Sequence, residues 1–143
     1  GVSINNLSLN ENDIGEFKTF LKISPPLRTE EDRLSLVQGI KENLIDVIVS
    51  DHLPEDEESK RLPFAQAATG SIGIETLLPL ALEMYHNDSL SLNKIIETLW
   101  GIIYSNKEAD MYEASLMRRL SGLLYLDNKI VGDIKEKMRK KFI

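Results

Sequence analysis

Residues 29–44 carry the first regular pattern in the chain. Leu34, Val37, Ile40 and Leu44 recur at the spacing of one apolar helix face. Thr29 stands where an N-cap belongs, and Glu30, Glu31 and Asp32 fill the first turn, where carboxylates suit the helix dipole. The period then changes. Residues 44–50 read LIDVIVS, apolar and β-branched apart from Asp46, which is the pattern of a strand covered on both faces in a parallel sheet. The strand runs out on Asp51-His52. From residue 75 helical spacing returns and persists. Leu77, Leu78, Leu80, Ala81 and Met84 mark a helix over 75–86. Ser91 caps a second, to about residue 104, with Leu92, Ile95, Ile96, Leu99 and Ile103 on one side. A third spans 110–125. The fourth runs from 128 to 141, with Ile130, Ile134 and Met138 in register.

The first 20 residues read as polar and irregular. Asn5, Asn6, Asn10 and Asn12 favour turns, and Asn10 is placed to cap a helical turn over 11–17. Pro25-Pro26 forces an extended stretch. Residues 54–60 (PEDEESK) predict an acidic surface loop, and residues 62–68 a short helix. The fold class that follows is mainly α with a minor β element. A lone parallel strand leaves two unpaired edges, so it is expected either to pair across a dimer or to repack against the helices of 75–141. Leftover apolar helix faces point the same way, to a homo-oligomer.

A length of 143 residues suits one ordinary domain. A (β/α)8 barrel takes about 250 residues, so only part of one is expected here. The absence of cysteine excludes disulfides, Cys-zinc sites and thiol nucleophiles. No apolar run approaches a membrane span and the first residues lack a basic-then-apolar leader, so the expectation is a cytoplasmic chain without membrane contact. The net charge of −6 is uneven. Residues 1–99 hold 8 basic and 17 acidic side chains, and residues 100–143 hold 9 and 6. The basic run Lys135–Lys141 falls at a helix C-terminus, where cations complement the dipole and stay solvated, so no nucleic-acid partner is expected. Phosphate-loop and nucleophile-elbow motifs are absent.

Chemistry has few candidates. Asp51 ends the strand, the position from which barrel enzymes present carboxylates; as a residue alone it reads equally as a turn former. His52 and His86 are the only imidazoles. Arg28 is expected to pair with Glu30, Glu31 or Asp32, and Arg118 or Arg119 with Glu113 or Asp110. Trp100, Tyr104, Tyr112 and Tyr125 read as core or core-edge aromatics.

Four stretches carry a family likeness: SINNLSLNENDIGEFKTF (3–20), KISPPLRTEEDR (22–33), IDVIVSDHLP (45–54) and KRLPFAQAATGSIGIETLLPLAL (60–82). Through them residues 1–99 resemble the C-terminal part of bacterial dihydroorotases, of the amidohydrolase superfamily. The resemblance implies a metal-dependent cyclic amidohydrolase of pyrimidine biosynthesis, a hydrolase that opens or closes the dihydroorotate ring with a metal-bound hydroxide at a barrel mouth. Zinc is the implied cofactor and a small molecule the implied substrate. Asp51 then corresponds to the catalytic carboxylate after the last barrel strand, which also contacts the metal. Ser24 stands where many relatives carry a substrate-contacting Asn, and Thr69 and Gly70 match a loop whose backbone lies beside the substrate. Glu55 replaces a substrate-contacting His, and Asn6 replaces a metal-ligand His. The family's remaining ligands belong to segments without counterpart in this sequence, so the isolated chain is expected to be inactive and free of zinc.

A second resemblance covers residues 92–142, which are similar to the C-terminal half of the all-helical tellurite-resistance TerB family. Trp100, Tyr104, Asp110, Glu113, Arg118, Arg119, Leu123 and Leu124 carry it, with Asn106-Lys107 where that family has Asp-Gly. The two meet around Lys94–Leu99. The expected architecture is a partial (β/α) barrel remnant over 1–99 followed by a TerB-like helical segment over 100–143. The alternative is a non-enzymatic helical interaction module with residues 75–141 as its core.

Overall fold

A computed structural model of the chain describes residues 1–106 and 108–142. Lys107, in the expected turn after the Trp100 helix, and Ile143 lie outside the described residues. The chain opens on strand β1 (Val2–Ser3) and helix α1 (Ile4–Ser8), then makes 3-10 turns at Glu11–Ile14 and Thr19–Leu21. Helix α2 (Glu30–Lys41), strand β2 (Ile48–Val49) and the short α3 (Glu57–Lys60) follow. Four longer helices complete it: α4 (Leu77–His86), α5 (Leu92–Tyr104), α6 (Met111–Leu123) and α7 (Asn128–Phe142).

The N-terminal stretch departs furthest from its sequence reading. Residues 2–7 are buried rather than irregular surface. Val2 and Ser3 pair in parallel with Ile48 and Val49, and the Val2 N–H donates to the Val47 carbonyl at 2.9 Å. Ser3 caps α1 by accepting from the Asn5 N–H at 3.3 Å. Two residues of strand give no periodicity to read; their burial comes from a partner more than 40 positions away. β2 is likewise only Ile48–Val49, not the whole of 44–50. Asn43 leaves α2 with φ +61°, and the Leu44 and Ile45 N–H groups both donate to the Gly39 carbonyl, which closes the helix instead of feeding a ladder. Leu44 therefore leaves the apolar face of α2 and stands 75% exposed, while Val37 and Ile40 stay buried. Of the two expected coverings of this strand, packing against the helices occurs, through α5. One edge of the strand pairs with residues 2–3 of the same chain.

Two shorter corrections concern the middle of the chain. The acidic stretch is not a plain loop: Asp56 accepts from the Ser59 N–H and starts α3. Residues 62–68 form turns, with Pro63 accepting from Gln66 and Ala67, and no helix.

Two apolar clusters hold the elements together. Ile4, Leu7, Ile40, Ile48 and Ile95 centre the first, and Ile96, Trp100, Tyr104, Met117 and Met138 the second. Successive residues of α5, Ile95 and Ile96, belong to different clusters, and Leu99 packs against both. Ser91 caps α5 as expected. Asp110 caps α6 in a capping box with Glu113, and among the described residues neither carboxylate makes the expected ion pair with Arg118 or Arg119.

The basic end of α7 does more than complement its dipole. Lys137 bonds Glu97 of α5, and Lys141 bonds Asp46 on the approach to β2. Burial pushes the Glu97 carboxyl up, but the hydrogen bond from Lys137 and the charges of Lys94 and Lys137 outweigh it, and the net shift is downward. Glu30, bonded by Arg33 and Asn10, is lowered to about 2. A carboxylate with a depressed folded pKa stabilises above its ordinary range and loses that contribution as pH falls through the folded value. The urea midpoint should therefore fall steadily below about pH 4.5, and Glu97→Gln should flatten part of that fall. An acid limb unchanged in the Gln variant would remove Glu97 from the account.

Candidate functional site

Everything that converges on Asp51 is set by where β2 stops. The strand delivers Ser50, and Asp51 turns out of it with φ +51°, an uncommon conformation tolerated by Asp better than by most residues. Its side chain is exposed and lines a cleft of about 400 Å³ together with Asn6, Pro25, Pro26, Arg28 and Val49. The cleft is mainly apolar in its walls, with one carboxylate, one guanidinium and one amide.

Two consecutive asparagines of α1 brace the loops around it. The Asn6 amide donates to the Pro25 and Pro26 carbonyls at 3.4 and 3.1 Å, holding the proline turn that follows the cis Ser24–Pro25 bond. Its Oδ1 is buried and unpartnered. The Asn5 amide donates to the Ser71 hydroxyl at 3.1 Å and so holds the glycine loop, which lines a separate hollow. Asn6 thus spends its donor on backbone carbonyls, a bracing job in the place where the likeness put a metal ligand. Their turn propensity in the sequence does not point to this role. The one available signal was their position directly after Ser3, an N-cap residue.

His52 does not lie in the strand opposite Asp51. It follows the turn, and its Nδ1 accepts from the Gly73 N–H at 3.1 Å and from the Ile74 N–H at 3.4 Å. An Nδ1 that accepts two N–H groups leaves the ring proton on Nε2. The ring therefore pins the loop over 70–74 and has no free Nδ1 for a metal. The contact is tight: a Cβ at Gly73 would sit 2.1 Å from the Ser50 carbonyl oxygen, and one at Gly70 would sit 2.5 Å from that of Leu53. The Leu53 N–H also donates to the Ser71 carbonyl at 2.9 Å.

The remaining candidates divide between two places. Ser24 is exposed and precedes the proline turn, whose Pro25 and Pro26 line the Asp51 cleft. Gly70 is buried and lines a second hollow of about 300 Å³ with Phe20, Glu55, Lys60, Ser71 and Ile72; Thr69, half-buried, precedes it. Lys60 fastens that hollow, donating to the carbonyls of Thr19 (3.1 Å), Lys22 (3.4 Å) and Ala68 (2.9 Å). Burial lowers its ammonium pKa, with Glu55 opposing and Lys22 adding to the shift. Arg28 makes no ion pair with Glu30, Glu31 or Asp32 among the described residues; Glu30 is taken by Arg33, whose guanidinium also reaches the Leu7 carbonyl at 2.9 Å. Arg28 is thereby left facing the cleft.

No family model matches the chain. A dihydroorotase from Ehrlichia canis is 48% identical over 98 residues, covering 68% of this chain and 22% of that protein. The dihydroorotase of Clostridioides difficile is 37% identical over 98 residues, 68% of this chain and 23% of its own length. Over two-thirds of its length the chain is homologous to dihydroorotases. It spans about a fifth of the length of the curated relatives it matches. Among solved structures, a D-hydantoinase superposes with a TM-score of 0.58 at 19% identity, covering 66% of this chain and 22% of that one. The dihydropyrimidinase of Brevibacillus agri gives 0.59 at 23% identity, with the same coverage. The shared shape is that of a hydantoinase segment. Each match leaves about a third of the chain uncovered, and none speaks to the TerB likeness of residues 92–142.

Proposed function

We propose that this chain supplies the last-strand carboxylate and the substrate-side loops of a dihydroorotase-type, metal-dependent cyclic amidohydrolase, a cytoplasmic hydrolase of pyrimidine synthesis. The observation that carries the reading is Asp51, delivered by the end of β2 into a cleft with Arg28 and Asn6, in sequence shared with dihydroorotases. In this reading Asp51 accepts the proton of the attacking water, a role open to an exposed carboxylate at the end of a strand. Arg28 offers a cation to an anionic substrate, and Ser24 and the Thr69–Gly70 backbone lie on the substrate side.

Zinc is the implied cofactor, and the residues present do not make its site. Among the described residues no three of His, Cys, Asp or Glu gather where a metal could be held. His52 Nδ1 is committed to Gly73, and the Asn6 amide to the proline turn. Among the described residues Asp51 is the ligand of the family set that is present, so no step through a metal is ascribed to this chain, and it is expected to be inactive by itself.

The test is dihydroorotate ring opening by the purified chain, with metal measured on the same sample, before and after mixing with a separately expressed N-terminal portion of a related dihydroorotase. The chain alone should show neither activity nor stoichiometric zinc. The mixture should recover activity, and Asp51→Ala should lower it by about 10²–10⁴-fold without loss of folding. Failure of the two polypeptides to bind would sink the complementing reading. The other reading, a TerB-like helical interaction module, draws support from the separate apolar cluster of α5, α6 and α7. It is favoured if Asp51→Ala changes nothing that the chain does.

A further inference from the structure

A hollow of about 350 Å³ opens where α6 and α7 meet the Trp100 turn of α5. Arg118 and Ser121 line it from α6, Asn128, Gly132 and Lys135 from α7, and Trp100 from α5. Its α7 side is unfilled, since a Cβ added at Gly132 would meet nothing within 4 Å.

The chemistry of the walls is one-sided. Two cations line the hollow and no carboxylate does. Neither Arg118 nor Lys135 has a carboxylate within ion-pair distance among the described residues. The acidic neighbours are engaged elsewhere. Asp110 and Glu113 form the cap of α6, and Asp127 accepts from the Lys129 and Ile130 N–H groups at 2.7 and 3.4 Å. Glu136 is held by Arg139 at 2.9 Å; with Glu108 it lines the adjoining hollow, not this one.

The indole adds a donor. Trp100 is 3% exposed, and its Nε1 is buried with no hydrogen-bond partner among the described residues. The Lys135 ammonium stands 5.2 Å from the centroid of the same ring. Buried N–H groups are nearly always paired, so an unpaired one beside a cation marks a place for an acceptor. Ser121 has given its hydroxyl proton to the Met117 carbonyl at 2.7 Å, but guanidinium, ammonium and indole N–H are all donors with no acceptor capacity. What they recognise in common is an oxyanion.

We propose that this hollow is a binding site for a small oxyanion, a phosphate or carboxylate group carried on a compact ligand. Arg118 and Lys135 supply the charge, and the Trp100 indole gives a neutral, directional hydrogen bond. Two like charges that share a hollow repel, and an anion between them turns repulsion into attraction. The site has no lining residue in common with the Asp51 cleft and does not rest on the reading given to Asp51.

Trp100 is the chain's one tryptophan, so its single indole N–H resonance reports on the site directly. The purified chain is titrated with inorganic phosphate and, separately, with succinate at constant ionic strength. A saturable shift of that resonance is expected, with half-saturation at about 1 mM or below for at least one anion. Saturation by phosphate alone identifies a phosphate ligand, and by succinate alone a carboxylate. Arg118→Gln and Lys135→Gln should each weaken binding by about tenfold or more, the loss expected for one charge-assisted hydrogen bond. Gly132→Leu puts a side chain into the open space and favours the helix, so it should abolish binding while the circular dichroism holds. Arg119→Gln removes the same charge one position along, where the side chain does not line the hollow, and should leave binding unchanged. No saturable shift with either anion overturns the proposal. So does an Arg119→Gln variant that binds as poorly as Arg118→Gln, which would mean a diffuse basic surface in place of a site.

Discussion

Gly73→Ala should destabilise the chain by on the order of 3 kcal/mol, read as a drop in the urea midpoint. The added methyl would lie 2.1 Å from the Ser50 carbonyl oxygen, and the atom it meets is backbone at the end of β2, not a side chain that can swing aside. Relief requires moving the loop or the strand end. Either move breaks the Gly73 and Ile74 bonds to His52 and shifts the Gly73 carbonyl, which receives the Leu77 N–H at the start of α4. Gly122→Ala is the same chemical change in α6, where a Cβ would meet nothing within 4 Å. That variant should be neutral or gain about 0.5–1 kcal/mol, since alanine favours helix over glycine. Equal midpoints for the two variants would contradict the close approach at Gly73.

Trp100→Ala should cost about 3–5 kcal/mol. Trp100 is buried at the centre of the second cluster, stacked on Tyr104 with ring centroids 5.6 Å apart and covered by the Lys135 ammonium at 5.2 Å. Its removal leaves a cavity between α5, α6 and α7, and the covered face of α6 loses its seat. Trp100→Phe should cost far less. The indole N–H is buried without an acceptor, and losing an unpaired donor offsets part of the lost packing. Circular dichroism against urea distinguishes the two. A Phe variant as damaged as the Ala variant would mean that the indole nitrogen has a partner.

The helical half was legible because its signals are local. Ser91 caps where expected, and the spacing of Ile95, Ile96, Leu99 and Ile103 names the inward side of α5. Periodicity does not say which apolar side of α6 is covered: Met117 is buried, while Tyr112 and Leu116 are exposed, and Tyr125 lies beyond the helix and is exposed too, so neither tyrosine is in the core that its aromatic ring suggests. In the other half, burial is dictated by distant partners. Val2 is strand because Ile48 lies beside it, and Asn5 and Asn6 are buried because Ser71, Pro25 and Pro26 take their amide protons. A turn propensity carries no trace of such bonds. Asp51 could be placed at the end of a strand, and its cleft could not. Arg28 lines it while Arg33 holds Glu30, a choice among neighbours that spacing leaves open.

Helix α5 gives consecutive residues to two clusters, with Leu99 shared by both. The two clusters therefore share one stretch of backbone, and β2 and α7 both pack on it. A substitution that unseats α5 on the Trp100 side is expected to be felt on the Ile95 side as well, and so at the strand that ends on Asp51.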